Sequence, residues 1–238
     1  MNRIGVVVPS SNTTAEPEFQ RALSGESTVH AARMPLEDVT ADALDAMADD
    51  AERAASLLSH ASVDGLVYAC TTGSLLHGSG FDAQLESRLS AAADAPAVAT
   101  ALSVVRALDA LDVHRLAVAT PYAEELNELE REYLIENGFE VVHLDGRRIV
   151  ENTAIGALSA TDAEQQGRSV LSAAPDADAL FLSCTNYRSI PALSSLEAEF
   201  GVPVVSSNAA AIWDLCGRIG VQPELDIELA ETAPVDGA

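Results

Sequence analysis

The stretches VYACTTGSLL (residues 67–76) and LFLSCTNYRS (residues 180–189) have the same form. In each, an apolar run is followed by Cys-Thr and then by small or polar residues. Short apolar runs next to turn-forming residues are typical of buried strands. Cys70 and Cys184 are therefore expected to lie at the carboxyl ends of two strands, and their matching surroundings indicate an internal repeat.

Other segments repeat in the same order at nearly the same spacing. RIGVVVPSS, which begins at residue 3, corresponds to RLAVATPYA, which begins at residue 115, an offset of 112 residues. Pro96 and Pro203 align two further strand-like segments. Strand-like and helical segments alternate along the chain, a pattern typical of parallel sheets covered by helices. The expected strands are 4–8, 28–32, 65–69, 97–99, 115–119, 140–144, 179–183 and 203–206.

We therefore predict an α/β fold of two pseudo-symmetric, doubly wound, flavodoxin-like half-domains. Residues 1–100 plus 206–222 would form the first half-domain and residues 101–205 the second. The acidic segment 223–238 is expected to be a poorly ordered tail. Helical spacing of apolar residues predicts helices over 41–59 and 123–137. Thr161 and Glu164 are spaced as a capping box at the start of another helix.

The charge of the chain limits its partners. It carries 37 Asp and Glu against 13 basic residues, all of them arginine, which gives a net charge of −24. Such a surface repels nucleic acid and anionic membranes, and we expect neither as a partner. Excess carboxylate without lysine favours a halophilic protein, since salt screens the self-repulsion. Three cysteines, no signal-peptide pattern and no membrane-length apolar run predict a cytoplasmic protein with reduced thiols.

Ligands of doubly wound sheets bind beyond the carboxyl ends of the strands, and a duplication places two such edges against one cleft. We expect a thiol on each side of that cleft. The positive end of a following helix would favour the thiolate of Cys70. A thiolate and a thiol form a nucleophile–acid or acid–base pair that needs no metal and no cofactor. Structural alternatives exist: Asn12 and Asn152 as helix caps, Tyr122 as core, and Cys216 as a buried helix residue.

The motifs GVVVPSSNTTAEPEF, ACTTGS and SCTNYRSIP resemble the maleate cis–trans isomerase family of the aspartate/glutamate racemase superfamily, to which arylmalonate decarboxylases are related. This resemblance implies a homodimer without a cofactor, acting on a small dicarboxylate. It implies that the thiolate of Cys70 adds to maleate, the central bond rotates, and elimination gives fumarate, with Cys184 as the partner acid. The implied substrate-binding residues are Ser11, Asn12, Thr71, Thr72, Tyr122, Asn152, Thr185 and Asn186.

Three other functions remain open from the sequence. A racemase of the aspartate/glutamate type, or one linked to ectoine degradation, also needs two facing cysteines. An arylmalonate-type decarboxylase has only the second cysteine, so Cys70 argues against that reading. A non-catalytic ligand-binding relic is disfavoured because both cysteines are present.

Overall fold

Each half of the chain forms one parallel sheet of four strands in the computed structural model, which describes residues 1–23, 25, 27–48 and 50–233. The strand orders are β2-β1-β3-β4 and β6-β5-β7-β8, so the second sheet repeats the topology of the first. The strands are β1 Asn2–Pro9, β2 Ser27–Met34, β3 Gly65–Tyr68, β4 Ala97–Ala99, β5 Arg115–Thr120, β6 Glu140–Gly146, β7 Ala179–Leu182 and β8 Val204–Ser206. The predicted fold class is confirmed.

Helices connect the strands in both halves. They are α1 Ala15–Ala22, α2 Ala41–Ala48, α3 Ala51–Ser59, α4 Thr71–Leu75, α5 Phe81–Ala93, α6 Thr100–Ala110, α7 Glu124–Glu136, α8 Asn152–Gly156, α9 Ala160–Ala173, α10 Leu193–Phe200 and α11 Ser207–Ile219, with 3₁₀ turns at Ile190–Ala192 and Glu228–Glu231. Among the described residues, no helix has the length and apolar character needed to span a lipid bilayer.

Two local predictions were wrong. The single helix predicted over 41–59 is two helices, α2 and α3, with a turn in which the Asp50 amide donates to the Met47 carbonyl (3.1 Å). The capping box lies two residues before the predicted one. Ser159, whose backbone is extended, accepts a hydrogen bond from the Asp162 amide, and the Asp162 carboxylate accepts one from the Ser159 amide. Both positions carry the required spacing, and backbone geometry selects the first.

The last helix packs on the first sheet, although it follows the last strand of the second. Ile212 and Leu215 of α11 share one buried cluster with Ile4, Val6 and Val8 of β1. The segment after α11 also packs on the protein. Leu229 is fully buried, and the Trp213 indole donates to the carbonyl of Thr232 (3.2 Å). This differs from the expectation of a poorly ordered tail from residue 223, while residues 234–238 lie outside the described residues.

Candidate active site

The two repeated cysteines line one cavity between the halves. Cys70 follows β3 and precedes α4, and Cys184 follows β7, so each thiol lies at the carboxyl end of a central strand. The free space between the lining atoms, including the part open to solvent, amounts to about 240 Å³.

Nine of the ten predicted site residues line this cavity. The exception is Ser11, which does not line it. The Ser11 hydroxyl accepts a hydrogen bond from the side-chain nitrogen Nδ2 of Asn152 (2.8 Å). Three lining residues were missed: Pro9, Leu36 and Val39. Leu36 and Val39 belong to the loop after β2. Apolar loop residues look like ordinary core in a sequence, so no signal marked them.

The cysteines reach the cavity from different backbone conformations. Cys70 is extended, with φ −148°, and lies at the first turn of the five-residue helix α4. Cys184 has φ +99°, in the region that favours glycine. A side chain there costs of order 1 kcal/mol of backbone strain. The conformation is held by hydrogen bonds, because the Cys184 amide donates to Ser207 Oγ (3.0 Å) and the Asn186 amide donates to Cys184 Sγ (3.3 Å).

The helix that follows Cys70 favours its thiolate, but the burial of the thiol acts in the opposite direction. Burial raises the pKa of Cys70 to about 11, and the opposing hydrogen bonds from Gly73 and Thr72 are weaker effects. Burial likewise raises the pKa of Cys184 to about 12. The sequence predicts a helix after Cys70 but not how deeply the thiol is buried, and burial is the largest effect on its pKa.

Polar side chains around the cavity are hydrogen-bonded to one another, both between the halves and within the second half. Asn12 Oδ1 accepts the amides of Thr14 and Ala15, and its Nδ2 donates to Thr185 Oγ1 (3.0 Å). Asn186 Nδ2 donates to the carbonyl (2.7 Å) and Oδ1 (3.0 Å) of Asn152. The alternative reading of Asn12 as the helix cap is not what the structure has, because the N-cap of α1 is Thr14. The Asn12 oxygen instead closes the turn before that helix, and the side chain borders the cavity.

Two loops close the cavity on the outside. The Val39 amide donates to the Val150 carbonyl (2.8 Å), and the Asn152 amide donates to the Glu37 carbonyl (3.0 Å). One antiparallel bridge, Asp38 with Glu151, joins the same loops. A surface recess lies over this junction and is lined by three exposed carboxylates, those of Glu37, Asp38 and Glu151.

The residues that line the cavity carry no charge near neutral pH, since burial raises the pKa of both thiols. Among the described residues, no arginine lines it, and the sequence has no lysine. Asparagine amides, threonine hydroxyls and the Tyr122 hydroxyl supply its polar groups. Within the described part of the chain, no three His, Cys, Asp or Glu side chains come together as a metal-ion site. An anion held here is held by neutral hydrogen-bond donors.

Comparisons with known proteins agree with this geometry. The family model for arylmalonate decarboxylase matches residues 4–228. The chain is 34% identical to a maleate isomerase of Pseudomonas putida over 93% of each chain. The maleate isomerase of Pseudomonas putida S16, solved with maleate, superposes with a TM-score of 0.91 at 27% identity, over 99% of each chain.

A second solved structure bears on the cysteines. It is a Nocardia farcinica maleate cis–trans isomerase with a cysteine-to-serine substitution and a covalently bound succinylcysteine intermediate. Its TM-score is 0.90 at 29% identity, covering 96% of this chain and 98% of that one. The match over nearly all of the chain confirms the resemblance found in the motifs: the protein belongs to the family of maleate isomerases and arylmalonate decarboxylases.

Proposed function

We propose that the protein is a maleate cis–trans isomerase that works through Cys70 and Cys184. The observation that carries the proposal is the placing of both thiols on one small cavity whose other polar groups are neutral donors. The relatives and solved structures named maleate isomerase support the choice of substrate. The enzyme class is isomerase, and the chemistry requires only the protein's own side chains.

Cys70 is the nucleophile in this proposal. Its thiolate forms a C–S bond to one alkene carbon of maleate, and the π electrons move to the neighbouring carbon, where the adjacent carboxylate stabilises them. Cys184 then gives its proton to that carbon and becomes a thiolate. The product is a succinyl thioether, whose central C–C bond is single and free to rotate.

The second half of the reaction reverses the first. After rotation, the thiolate of Cys184 takes the proton back, the C–S bond breaks, and the double bond re-forms as trans. Fumarate leaves and both thiol groups return to their starting states, so atoms and electrons balance without an oxidant. The nucleophile is scarce in the resting protein, because a thiol of pKa about 11 is ionised to about one part in ten thousand at pH 7.

Seven neutral side chains are proposed to bind and orient the carboxylates. Six of them supply amide or hydroxyl groups from both halves, so each carboxylate of maleate can meet donors of a different half. Tyr122, the seventh, adds its hydroxyl; it also lies beside Cys184 on the cavity wall and is proposed to orient that thiol as well. The seven residues are Asn12, Thr71, Thr72, Tyr122, Asn152, Thr185 and Asn186.

Proton NMR of maleate with the purified protein tests the function. The vinyl signal of maleate is expected to be replaced by that of fumarate, and Cys70→Ala and Cys184→Ala are expected to abolish the change while keeping the circular dichroism spectrum. Cys216→Ala is the matched control, since this thiol is buried in α11 away from the cavity and its loss should leave turnover intact. Maleate left untouched by folded protein would refute the substrate assignment.

The same proposal includes a salt-adapted, cytoplasmic homodimer with two half-domains divided as the sequence predicts. The net charge of −24 and the three exposed carboxylates near the loop junction support salt dependence, because they repel a dianion and salt screens that repulsion. We expect kcat/KM to rise between 0.1 and about 2 M KCl, and Glu37→Gln to weaken that rise. A kcat/KM that falls with KCl would contradict the salt adaptation.

Light scattering at high salt measures the oligomeric state, and a monomer would overturn the proposed homodimer.

A further inference from the structure

A buried carboxyl group, that of Glu130, is hydrogen-bonded to Ser183, the residue that precedes Cys184. Glu130 of α7 is 1% exposed, and its Oε1 lies 2.5 Å from Ser183 Oγ. Its Oε2 has no hydrogen-bond partner among the residues that the structure describes. The reaction proposed above does not use this side chain, and an orphaned carboxylate oxygen in a protein interior needs an explanation.

The repeat explains why the oxygen is orphaned. Glu18 of α1 is 112 residues earlier, at the offset that relates β1 to β5, and it is equally buried. Its Oε2 accepts a hydrogen bond from Asn208 Nδ2 (2.6 Å), where Asn208 is the second residue of α11. The second residue of α6, the counterpart helix, is Ala101, which has no donor to offer Glu130.

The surroundings of Glu130 favour its neutral form. The side chain borders an apolar space too narrow to admit a water molecule. Helices α4 and α6 contribute only Thr71, Leu75, Ala101 and Val104 to its walls, and none of these is charged. The ionisable Tyr133 on the same helix is hydrogen-bonded to Asp82. Burial is the main effect that raises the pKa of the carboxyl, to about 8.

A short chain of hydroxyl groups connects this carboxyl to the second thiol. Ser183 immediately precedes Cys184 in the sequence. Tyr122 lines the cavity beside Cys184, and hydrogen bonding with Cys184 and with Ser183 is among the smaller effects on the pKa of its hydroxyl. Glu130 itself also acts on the thiol, since its negative charge raises the pKa of Cys184.

We propose that Glu130 is a positioning residue that sets the ionisation of Cys184 through the hydroxyls of Ser183 and Tyr122. When neutral, the carboxyl donates to Ser183, Ser183 donates to Tyr122, and Tyr122 donates to the sulfur, which stabilises a thiolate. When ionised, the carboxylate accepts from Ser183, the chain reverses, and a second negative charge lies nearby. Its use in turnover rests on the proposed function, in which Cys184 becomes a thiolate in the covalent intermediate.

Alkylation of Cys184 tests this without any substrate, so the result is independent of isomerase activity. Iodoacetamide labelling is followed between pH 6.5 and 9.5 in a Cys70→Ala background, with peptide mass spectrometry to separate Cys184 from Cys216. The labelling rate is expected to rise tenfold per pH unit, to flatten near pH 8 as Glu130 ionises, and then to rise again. Glu130→Gln, which always presents a donor, should give an unbroken rise.

The deciding quantity is the labelling rate of Cys184 in Glu130→Gln divided by the rate in the parent at the same pH. Glu130→Gln is expected to label at the parent's rate at pH 7 and about tenfold faster at pH 9.5, which corresponds to one pKa unit. Glu18→Gln, the matched buried acid, should keep the break near pH 8. Ser183→Ala interrupts the chain and should make the break smaller, leaving only the direct effect of the Glu130 charge on Cys184. This variant covers the case in which Glu130→Gln does not fold. Identical profiles for the parent and Ser183→Ala, or a rate ratio independent of pH for Glu130→Gln, would overturn the proposal.

Discussion

Replacing Glu18 with glutamine is expected to stabilise the protein at alkaline pH and to leave its stability nearly unchanged at pH 4.5. Glu18 is 2% exposed and accepts hydrogen bonds from Asn208 and from the Ile190 amide (3.2 Å). Burial is the largest effect on its carboxyl, and it outweighs those hydrogen bonds and Arg21, raising the pKa from 4.5 to about 7. Glutamine has nearly the same shape as the neutral acid and cannot ionise.

The magnitude follows from the shift in pKa. Because the folded pKa lies above the unfolded one, the folded protein retains a proton that the unfolded chain releases between pH 4.5 and 7. The contribution to the free energy of unfolding is therefore fully present below pH 4.5 and lost as pH rises through 7. At about 1.36 kcal/mol per pKa unit, the loss is about 3 kcal/mol. The Glu18→Gln variant keeps this free energy of unfolding at high pH, because glutamine has no proton to release.

Urea unfolding followed by circular dichroism at constant KCl, from pH 4.5 to 8.5, measures this difference. The stability of the variant relative to the parent is expected to grow by about 3 kcal/mol across that range, with most of the gain between pH 4.5 and 7. Glu125→Gln is the control, since Glu125 is exposed on α7. A difference between variant and parent that is constant with pH would refute the reasoning, because Glu18 would then be ionised in the folded protein.

Three further outcomes are expected. With Cys70 as a thiol of pKa about 11, log kcat/KM should rise with a slope near one between pH 7 and 9, and a flat profile in rates followed by proton NMR would contradict this nucleophile. Gly156→Ala would place a Cβ 2.5 Å from Thr13 Oγ1, so chemical denaturation should show a loss of about 1–3 kcal/mol, and an unchanged midpoint would refute the overlap. Cys184→Gly should be about 1 kcal/mol more stable than Cys184→Ala, because only glycine adopts φ +99° without strain; equal stabilities would contradict that strain.

Much of the fold could be predicted because the repeat and the apolar runs are local signals. The eight strand segments, and the positions of Cys70 and Cys184 at strand ends, follow from alternation in the sequence. The placing of Asn12 and Asn152 around a shared cavity follows from the duplication, which brings two sheet edges together.

Burial could not be predicted in the same way. A helix after Cys70 favours a thiolate, yet the thiol is deeply buried and the loss of solvation raises its pKa instead. Glu130 stands in the charged stretch ELERE and looks like a solvated helix residue, although it is 1% exposed. Leu36 and Val39 are recognisable as cavity residues only once the loop after β2 meets the loop before α8. Each of these depends on contacts between distant segments, which single-sequence patterns do not contain.

The position of α11 has a consequence for the order in which the chain can fold during synthesis. The first sheet leaves the ribosome before the helix that covers one of its faces, because Ile212 and Leu215 are made about a hundred residues after β4. Until then, Ile4, Val6 and Val8 lack part of their apolar cover. The nascent first half therefore exposes an apolar, aggregation-prone surface while the second half is translated. It reaches its native packing only when both halves are present.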